Sequence, residues 1–186
     1  MKISEVITER LLLRRWRESD REPFFQMCQD AEAMRYLLPI TDRAASNAFI
    51  DRLETHFDTN EFGMCAAERR DTGEFIGIIG LQIPRIAITP EPCIEAGWRL
   101  RRSAWGQGFA REGASAIMEA GFMNLGVSEV IAVTAIQNER SWRVMERLGM
   151  HRDASTFAHP ALPADHPLSE HFMYRKQRAR AGHPRL

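Results

Sequence analysis

The residues with the clearest chemical purpose lie between positions 99 and 122, in the stretch RLRRSAWGQGFAREGASAIMEAGF. A Gly-Gln-Gly turn stands directly before a helical pattern, and four arginines surround it: Arg99, Arg101, Arg102 and Arg111. Glycines let a backbone approach a ligand closely, while the first N–H groups of a helix and its dipole favour an anion. We therefore expect the backbone of residues 107–111 to bind a pyrophosphate, with arginine side chains adding charge-assisted contacts.

Three other interpretations of this turn are weaker. A Walker A loop requires a Gly-Lys-Ser/Thr ending, which the sequence lacks. A dinucleotide fingerprint would place the bulky Arg111 where helix and strand pack most closely, although Glu129 lies near the position of a ribose-binding acid. A tight strand–helix turn with exposed arginines would bind nothing. A pyrophosphate on the long arm of a coenzyme fits these residues better.

A second motif, Asn138-x-x-Ser141, stands at the start of another helical pattern. Asn is a common helix N-cap. Ser141 shares one helix face with Val144, Met145 and Leu148, so we expect its hydroxyl to point inward. The alternative is a local bond between that hydroxyl and the backbone of the first helical turn.

The elements that must position these motifs form an α/β pattern. Six or seven strands are expected, in residues 11–16, 62–69, 75–83, 93–100, 130–136, 150–159 and 168–176. About four helices are expected, in residues 18–34, from 41 or 42 onward, after the Gly-Gln-Gly turn, and from 138 to 149. The crossover from 94 to 136 is strand–helix–strand, so strands 94–100 and 130–136 should lie side by side in parallel.

Length and composition favour one soluble domain, residues 1–186, with a core of about 8–176 and a flexible basic tail at 177–186. The formal net charge is zero, which gives no reason to expect a nucleic-acid or membrane partner. Three widely spaced cysteines are typical of a reducing cytoplasm, and no apolar run is long enough to cross a membrane. His159, His166 and His171 lack zinc-ligand spacing, so no metal is expected; their loop either shapes an acceptor pocket or lies on the surface.

Together these motifs resemble the GNAT superfamily of N-acetyltransferases, and within it the RimJ/RimL-like branch. The family's coenzyme signature, Q/R-x-x-G-x-G/A, maps onto residues 105–110, where Gly108 and Ala110 match and Trp105 replaces the usual Gln or Arg. EAGWRL precedes this turn, NERSWRVMERLGM follows it, and the likeness runs from TERLLLRRW to YRK, nearly the whole chain. The resemblance implies a GNAT fold: a mixed central sheet flanked by helices, in which the parallel pair 94–100 and 130–136 splays apart.

The resemblance also implies that acetyl-CoA is the cosubstrate and that its pantetheine arm enters between the splayed strands. Backbone groups near residues 98–100 would pair with that arm much as a β-strand would. The residues expected at the coenzyme are Trp98, Arg99, Leu100, Arg101, Trp105, Gly106, Gln107, Gly108, Phe109, Ala110, Arg111, Asn138 and Ser141.

Acetyl transfer to an amine needs a neutral nucleophile, donors to the carbonyl oxygen, and a donor to the leaving thiolate. Glu95 lies where similar proteins carry an acid and is the candidate base, directly or through a water; pairing with a neighbouring Arg is the alternative. Ser141 is the candidate donor to the thiolate, because Met145 occupies the position where many GNAT enzymes carry a Tyr.

The resemblance makes a protein N-terminal α-amine the first expected acceptor. A small-molecule amine, such as a polyamine, an amino acid or an amine-bearing antibiotic, is the alternative. A rival from another class is a coenzyme-binding domain without catalytic activity. We expect a cytoplasmic monomer or homodimer.

Overall fold

The computed structural model describes residues 3–89 and 91–179 of the chain, and within them one mixed sheet of nine strands. The strands are β1 (Glu5–Ile7), β2 (Leu11–Arg14), β3 (Met64–Arg69), β4 (Phe75–Gln82), β5 (Glu95–Leu100), β6 (Glu129–Ala135), β7 (His151–Arg152), β8 (Phe157–Ala158) and β9 (Glu170–Gln177). Five α-helices flank the sheet: α1 (Arg21–Gln29), α2 (Ala31–Met34), α3 (Arg43–Asn60), α4 (Phe109–Asn124) and α5 (Glu139–Arg147). The sheet order is β1-β2-β3-β4-β5-β6-β9-β7, with β8 paired to β9.

The parallel pair β5 and β6 is joined only at its beginning. One register pair, Glu95 with Ile131, connects the two strands, and the Ile131 N–H donates to the Ile94 carbonyl at 2.9 Å. Every other strand pair in the described sheet is antiparallel. The two strands therefore separate toward their carboxyl ends, which confirms the expected splayed pair and GNAT fold.

The helices divide between the two faces of the sheet. On one face α4 packs so closely that a Cβ at Gly113 would lie 2.6 Å from the Ile79 side chain, and one at Gly121 would lie 2.7 Å from Leu81. Because side chains alternate along a strand, Gln82 faces the opposite side, as does its register partner Glu95. Helices α1, α2 and α3 cover that opposite side, so Glu95 lies on a different face of the sheet from α4.

The structure corrects several predicted boundaries. A short strand at 5–7 was not predicted, and the predicted helix 18–34 is broken into a 3₁₀ turn at 18–20, then α1 and α2. The break is at Asp30, whose extended backbone ends α1 and whose carboxylate caps α2 by accepting from the N–H groups of Glu32 and Ala33. Residues 150–159 form two short strands rather than one, which brings the described sheet to nine strands rather than six or seven.

The predicted helix N-caps are confirmed. Asp42 caps α3 by accepting from the Ala45 N–H at 2.7 Å, and Asn138 precedes the first residue of α5. Gly73 adopts a φ of 70° in the turn between β3 and β4. None of the described helices has the length and apolarity needed to cross a membrane. Most of the predicted basic tail, residues 180–186, lies outside the described residues.

A buried ion pair fixes the start of α1 against the sheet. Arg14 on β2 donates to both oxygens of Asp20, at 2.7 and 2.9 Å, and its Nε donates to Glu68 on β3 at 2.8 Å. Arg14 is 5% and Asp20 2% exposed. This network sets where the α1–α3 layer sits over the sheet.

We expect Asp20→Ala to lower the free energy of unfolding by about 3 kcal/mol, because it leaves a buried guanidinium short of a partner. Urea denaturation followed by tryptophan fluorescence measures the change. Asp71→Ala, which removes the exposed pair with Arg69, is the control and should lower the free energy of unfolding far less. Equal losses in the two variants would contradict the role given to Asp20.

Candidate functional site

Three adjoining cavities form one channel beside the splayed strands. The outer cavity, of about 670 Å³, lies at the Gly-Gln-Gly turn. The narrow cavity, of about 110 Å³, adjoins it. The inner cavity, of about 290 Å³, is lined by Glu95. Trp105 and Ala110 line both the outer and the narrow cavity, and Trp98 and Ser141 line both the narrow and the inner one. The channel therefore connects the candidate anion site with the candidate base.

The turn presents an uncapped helix N-terminus to the outer cavity. Gly108, with φ 83°, is the N-cap of α4 and provides no side-chain cap. The first backbone bond of the helix is from the Glu112 N–H to the Gly108 carbonyl, at 3.0 Å, so the N–H groups of residues 109–111 precede the helical bonding pattern. Gly106, Gly108, Ala110 and Arg111 all line the outer cavity. This is the geometry that favours an anion.

A clamp that the sequence analysis missed holds this turn in place. Glu112 accepts from the Thr8 hydroxyl at 2.6 Å and from the Arg10 side chain at 2.7 Å, and Arg10 also donates to the Gln107 carbonyl at 2.9 Å. Burial raises the pKa of Glu112, but the hydrogen bonds from Thr8 and Arg10 outweigh burial and leave it below its ordinary value. The partners lie about a hundred residues apart, so no local spacing could reveal the clamp.

The arginines around the turn are not the predicted set. Arg111 lines the outer cavity as expected, but Arg99 lines the narrow and inner cavities instead. Arg101 is turned away and pairs with Glu74 at 2.7 Å. Arg102 pairs with Asp30 at 3.1 Å, so neither of these two side chains lies at the anion site.

Arginines of α5 line the outer cavity in their place. Arg140, Arg143 and Arg147 follow one another at the i, i+3 and i+7 spacing of a single helix face, and all three line this cavity. That spacing was visible in the sequence. The outer cavity is therefore more basic than the predicted residues alone would make it.

Trp105, which replaces the usual Gln or Arg of the signature, forms part of the channel wall. Its indole N–H donates to the Leu100 carbonyl at 2.7 Å, and the Arg140 guanidinium carbon lies 3.6 Å from the ring centroid. The Ile94 carbonyl bonds toward β6, so by alternation along β5 the backbone groups of Trp98 also point into the gap between the strands. An extended ligand in that gap can therefore pair with Trp98 as a strand would.

Ser141 faces the channel from the first turn of α5. Asn138 accepts from the Ser141 N–H at 3.4 Å and donates to the Thr134 hydroxyl at 3.0 Å, which fixes the start of the helix. Among residues 3–89 and 91–179 the Ser141 hydroxyl makes no hydrogen bond, so the alternative local bond to the helix backbone is not formed. Met145, one turn later, is buried.

Glu95 lines the inner cavity and forms no ion pair with any arginine within residues 3–89 and 91–179. Its carboxylate accepts from the Gln82 amide at 2.8 Å, across the β4–β5 ladder. Burial raises the pKa of Glu95, and the Gln82 hydrogen bond offsets only part of that effect. A carboxylate with a raised pKa is a stronger base than an exposed one.

Two histidines complete the inner cavity. The rings of His159 and His171 lie 4.7 Å apart between centroids, and burial lowers the pKa of both imidazoles. His159 Nδ1 accepts from the Ala161 N–H, at 3.2 Å. Within the described residues no group of three or more His, Cys, Asp or Glu side chains is placed to hold a metal ion. The loop that carries His159 therefore does reach the cavity, whereas His166 does not line it.

Comparison with known proteins identifies relatives along most of the chain. The family model described as "Acetyltransferase (GNAT) domain" matches residues 10–151. The uncharacterized N-acetyltransferase YoaA of Bacillus subtilis (strain 168) is 29% identical over 148 residues, which cover 78% of this chain and 82% of YoaA.

Solved structures share the fold. An acetyltransferase from Agrobacterium tumefaciens str. C58 superposes with a TM-score of 0.76 at 25% identity, covering 96% of each chain. RimL, a ribosomal alpha-N-protein acetyltransferase whose structure contains coenzyme A, superposes with a TM-score of 0.76 at 16% identity, covering 93% of this chain and 97% of RimL.

We expect the free energy of unfolding to fall as the pH decreases from about 7 to 5.5, because unfolded imidazoles take up protons near their ordinary pKa of about 6.5. The partly buried His159 and the buried His171 resist protonation, so the unfolded state binds more protons in this window. His171→Gln should flatten the pH dependence, measured by urea denaturation across the window. Equal slopes in the unaltered protein and in His171→Gln would contradict this prediction.

Proposed function

Because the chain belongs to the GNAT acetyltransferase family, we propose that it transfers the acetyl group of acetyl-CoA to a primary amine by direct attack. The observation that carries the proposal is the continuous channel from the uncapped N-terminus of α4 to Glu95. When bound, acetyl-CoA supplies the thioester carbonyl that the amine attacks. The residues along the channel match the three needs of that reaction: anion binding, positioning and proton transfer.

The outer part of the channel suits the phosphates of the coenzyme. The N–H groups of residues 107–111 would bind the pyrophosphate, and the α5 arginines would add positive charge beside it. The backbone of Trp98 would pair with the pantetheine arm in the gap between β5 and β6. The gap thus holds the thioester end close to Ser141 and the inner cavity.

The inner part of the channel suits proton transfer. A lysine amine has a pKa of about 10.4 and an α-amine of about 8, so the acceptor arrives mostly as an ammonium ion and must lose a proton. Glu95, directly or through a water, would take that proton before the neutral nitrogen attacks the acetyl carbon, and the nitrogen would lose a second proton to solvent as the amide forms. As the carbon–sulfur bond breaks, the Ser141 hydroxyl would donate to the leaving thiolate.

For the acceptor, we place a protein N-terminal α-amine first on the family resemblance, which the activity named for RimL supports. A small-molecule amine is the second candidate, and the 290 Å³ inner cavity favours it because that volume suits a small molecule. An amine screen with thiol-release detection separates the two. Tight acetyl-CoA binding without turnover on any amine would favour a coenzyme-binding domain without catalysis.

We expect Gly108→Glu to abolish acetyl-CoA binding in a calorimetric titration, because it places an anion where the pyrophosphate should lie and a side chain at a φ of 83°. Gly73→Glu is the matched control: its φ is 70°, an added Cβ there would have no atom within 4 Å, and it lies in the β3–β4 turn. That variant should bind acetyl-CoA normally. Unchanged affinity in Gly108→Glu, or a preference of the unaltered protein for NAD, would overturn the coenzyme site.

We expect kcat/KM to rise with pH through the pKa of Glu95, since only the carboxylate form can accept a proton. Because burial raises this pKa, the acidic limb of the pH profile should lie above the ordinary range for Glu. Glu95→Gln should remove the limb and lower kcat by roughly 10²- to 10⁴-fold, while acetyl-CoA affinity is retained. Ser141→Ala should lower kcat and keep the limb. The titration of the acceptor amine, at higher pH, should affect the profile of every variant in the same way. An unaltered acidic limb in Glu95→Gln would exclude Glu95 as the base.

A further inference from the structure

Arg99 is a partly buried arginine that forms no ion pair among the described residues. Its Nη1 contacts only sulfur, at 3.9 Å from Cys28 and 3.6 Å from Met34, and its guanidinium carbon lies 5.5 Å from the Phe49 ring centroid. Its Nε is buried and has no hydrogen-bond partner among the described residues. No ion pair within residues 3–89 and 91–179 includes Arg99.

This arrangement is unfavourable for the protein alone. A guanidinium stays charged and carries five N–H donors, whereas thiol and thioether sulfurs are weak acceptors. Arg14, which is buried, is by contrast bound by Asp20 and Glu68. Burying a charge without a partner costs free energy, so an apolar side chain at position 99 would suit the fold better. The unused donors of Arg99 point to an anion that is not part of the chain.

The location of Arg99 identifies which ligand carries that anion. It lines the inner cavity on the sheet face covered by α1–α3, the face on which Glu95 also lies. Arg99 lies four positions after Glu95 on β5, which places their Cα atoms about 13 Å apart. Gly97 lies between them on the same face and adds no side chain, and the Met64 side chain packs over it. The cation and the candidate base therefore stand at the two ends of one stretch of β5.

We propose that Arg99 binds a carboxylate of the acceptor, so that the substrate is a small primary amine that also carries a carboxylate. This inference rests on the proposed acetyltransferase function and selects the second of its two candidate acceptors, the small-molecule amine, over the protein N-terminus. One guanidinium matches one carboxylate in a bidentate pair. Arg99 is the single Arg or Lys among the described residues that line the inner cavity, so the doubly charged phosphate group is less well matched than a carboxylate.

The test compares acceptors that differ only in the carboxylate. The probes are ω-amino acids of two to six carbons, each paired with the alkylamine that lacks the carboxylate, together with a peptide that has a free α-amine. The proteins are the unaltered chain, Arg99→Met and Arg99→Lys. Arg21→Met is the control, since Arg21 pairs with Glu18 and Asp51 on the outer side of α1.

We expect the unaltered chain and Arg21→Met to prefer the amino acids. Arg99→Met should lower kcat/KM for the amino acids by about 10- to 100-fold, because it removes a charge-assisted hydrogen bond to the carboxylate. Its kcat/KM for the alkylamines should not change. Arg99→Lys should recover part of the loss. Arg99→Met should also keep its acetyl-CoA affinity, and its thermal unfolding midpoint should be no lower than that of the unaltered chain, which shows that neither the coenzyme site nor the fold was damaged.

Three results would overturn the inference and leave the acetyltransferase function intact. They are equal rates on the two sets of amines, turnover of the peptide alone, or a loss of acetyl-CoA affinity in Arg99→Met. Absence of turnover on every amine by a protein that binds acetyl-CoA would instead overturn the proposed function, and this inference with it.

Discussion

The separation of β5 from β6 is the constraint on which the rest of the structure depends. After the pair of Glu95 with Ile131, the facing edges of the two strands lose their strand partners in the middle of a sheet. Backbone groups left unpaired in an interior are costly, so the protein must satisfy them or keep them open to a ligand. Trp105 satisfies the Leu100 carbonyl through its indole N–H, and the gap beside Trp98 remains part of the channel.

The two ends of the channel carry different kinds of charged groups. Basic side chains of α5 and α4 gather at the outer cavity, where an uncapped helix already favours anions. Glu95, His159, His171 and Arg99 line the inner cavity, and burial raises the pKa of Glu95 and lowers the pKa of the other three. One end of the channel therefore suits a highly charged molecule, and the other suits proton transfer in a poorly hydrated site.

The sequence was informative where a feature depends on neighbouring residues. The glycine turn, the caps at Asp42 and Asn138 and the strand–helix–strand crossover all follow from local spacing, and the structure has each of them. The GNAT family followed from the same motifs. The arginine face of α5 also follows from local spacing, but it was not considered until the structure placed it at the outer cavity.

Features that depend on distant residues could not be predicted. The clamp between Arg10 and Glu112 joins segments a hundred positions apart, and the contact of His159 with His171 depends on how a Pro-rich loop folds back. Strands of two residues, such as β7, are too short to show a period. The unpaired state of Arg99 was also invisible, because a sequence shows an arginine without showing that no carboxylate reaches it.

The spacing of side chains along β5, with Gly97 midway between Glu95 and Arg99, limits the distances that two groups on this face can have. Side chains on one face of a strand come from every second residue and lie about 6.6 Å apart. The distance between an acid at position 95 and a cation on the same face can therefore change only in multiples of about 6.6 Å. The step between them is occupied by Gly97, where an added Cβ would meet the Met64 side chain at 3.1 Å. A cation at position 97 would halve the distance to Glu95, and a cation at position 101 would lie beyond the end of β5. For an acceptor bound by Arg99 and Glu95 as proposed, the length would therefore be set in discrete increments by the pleat of the sheet.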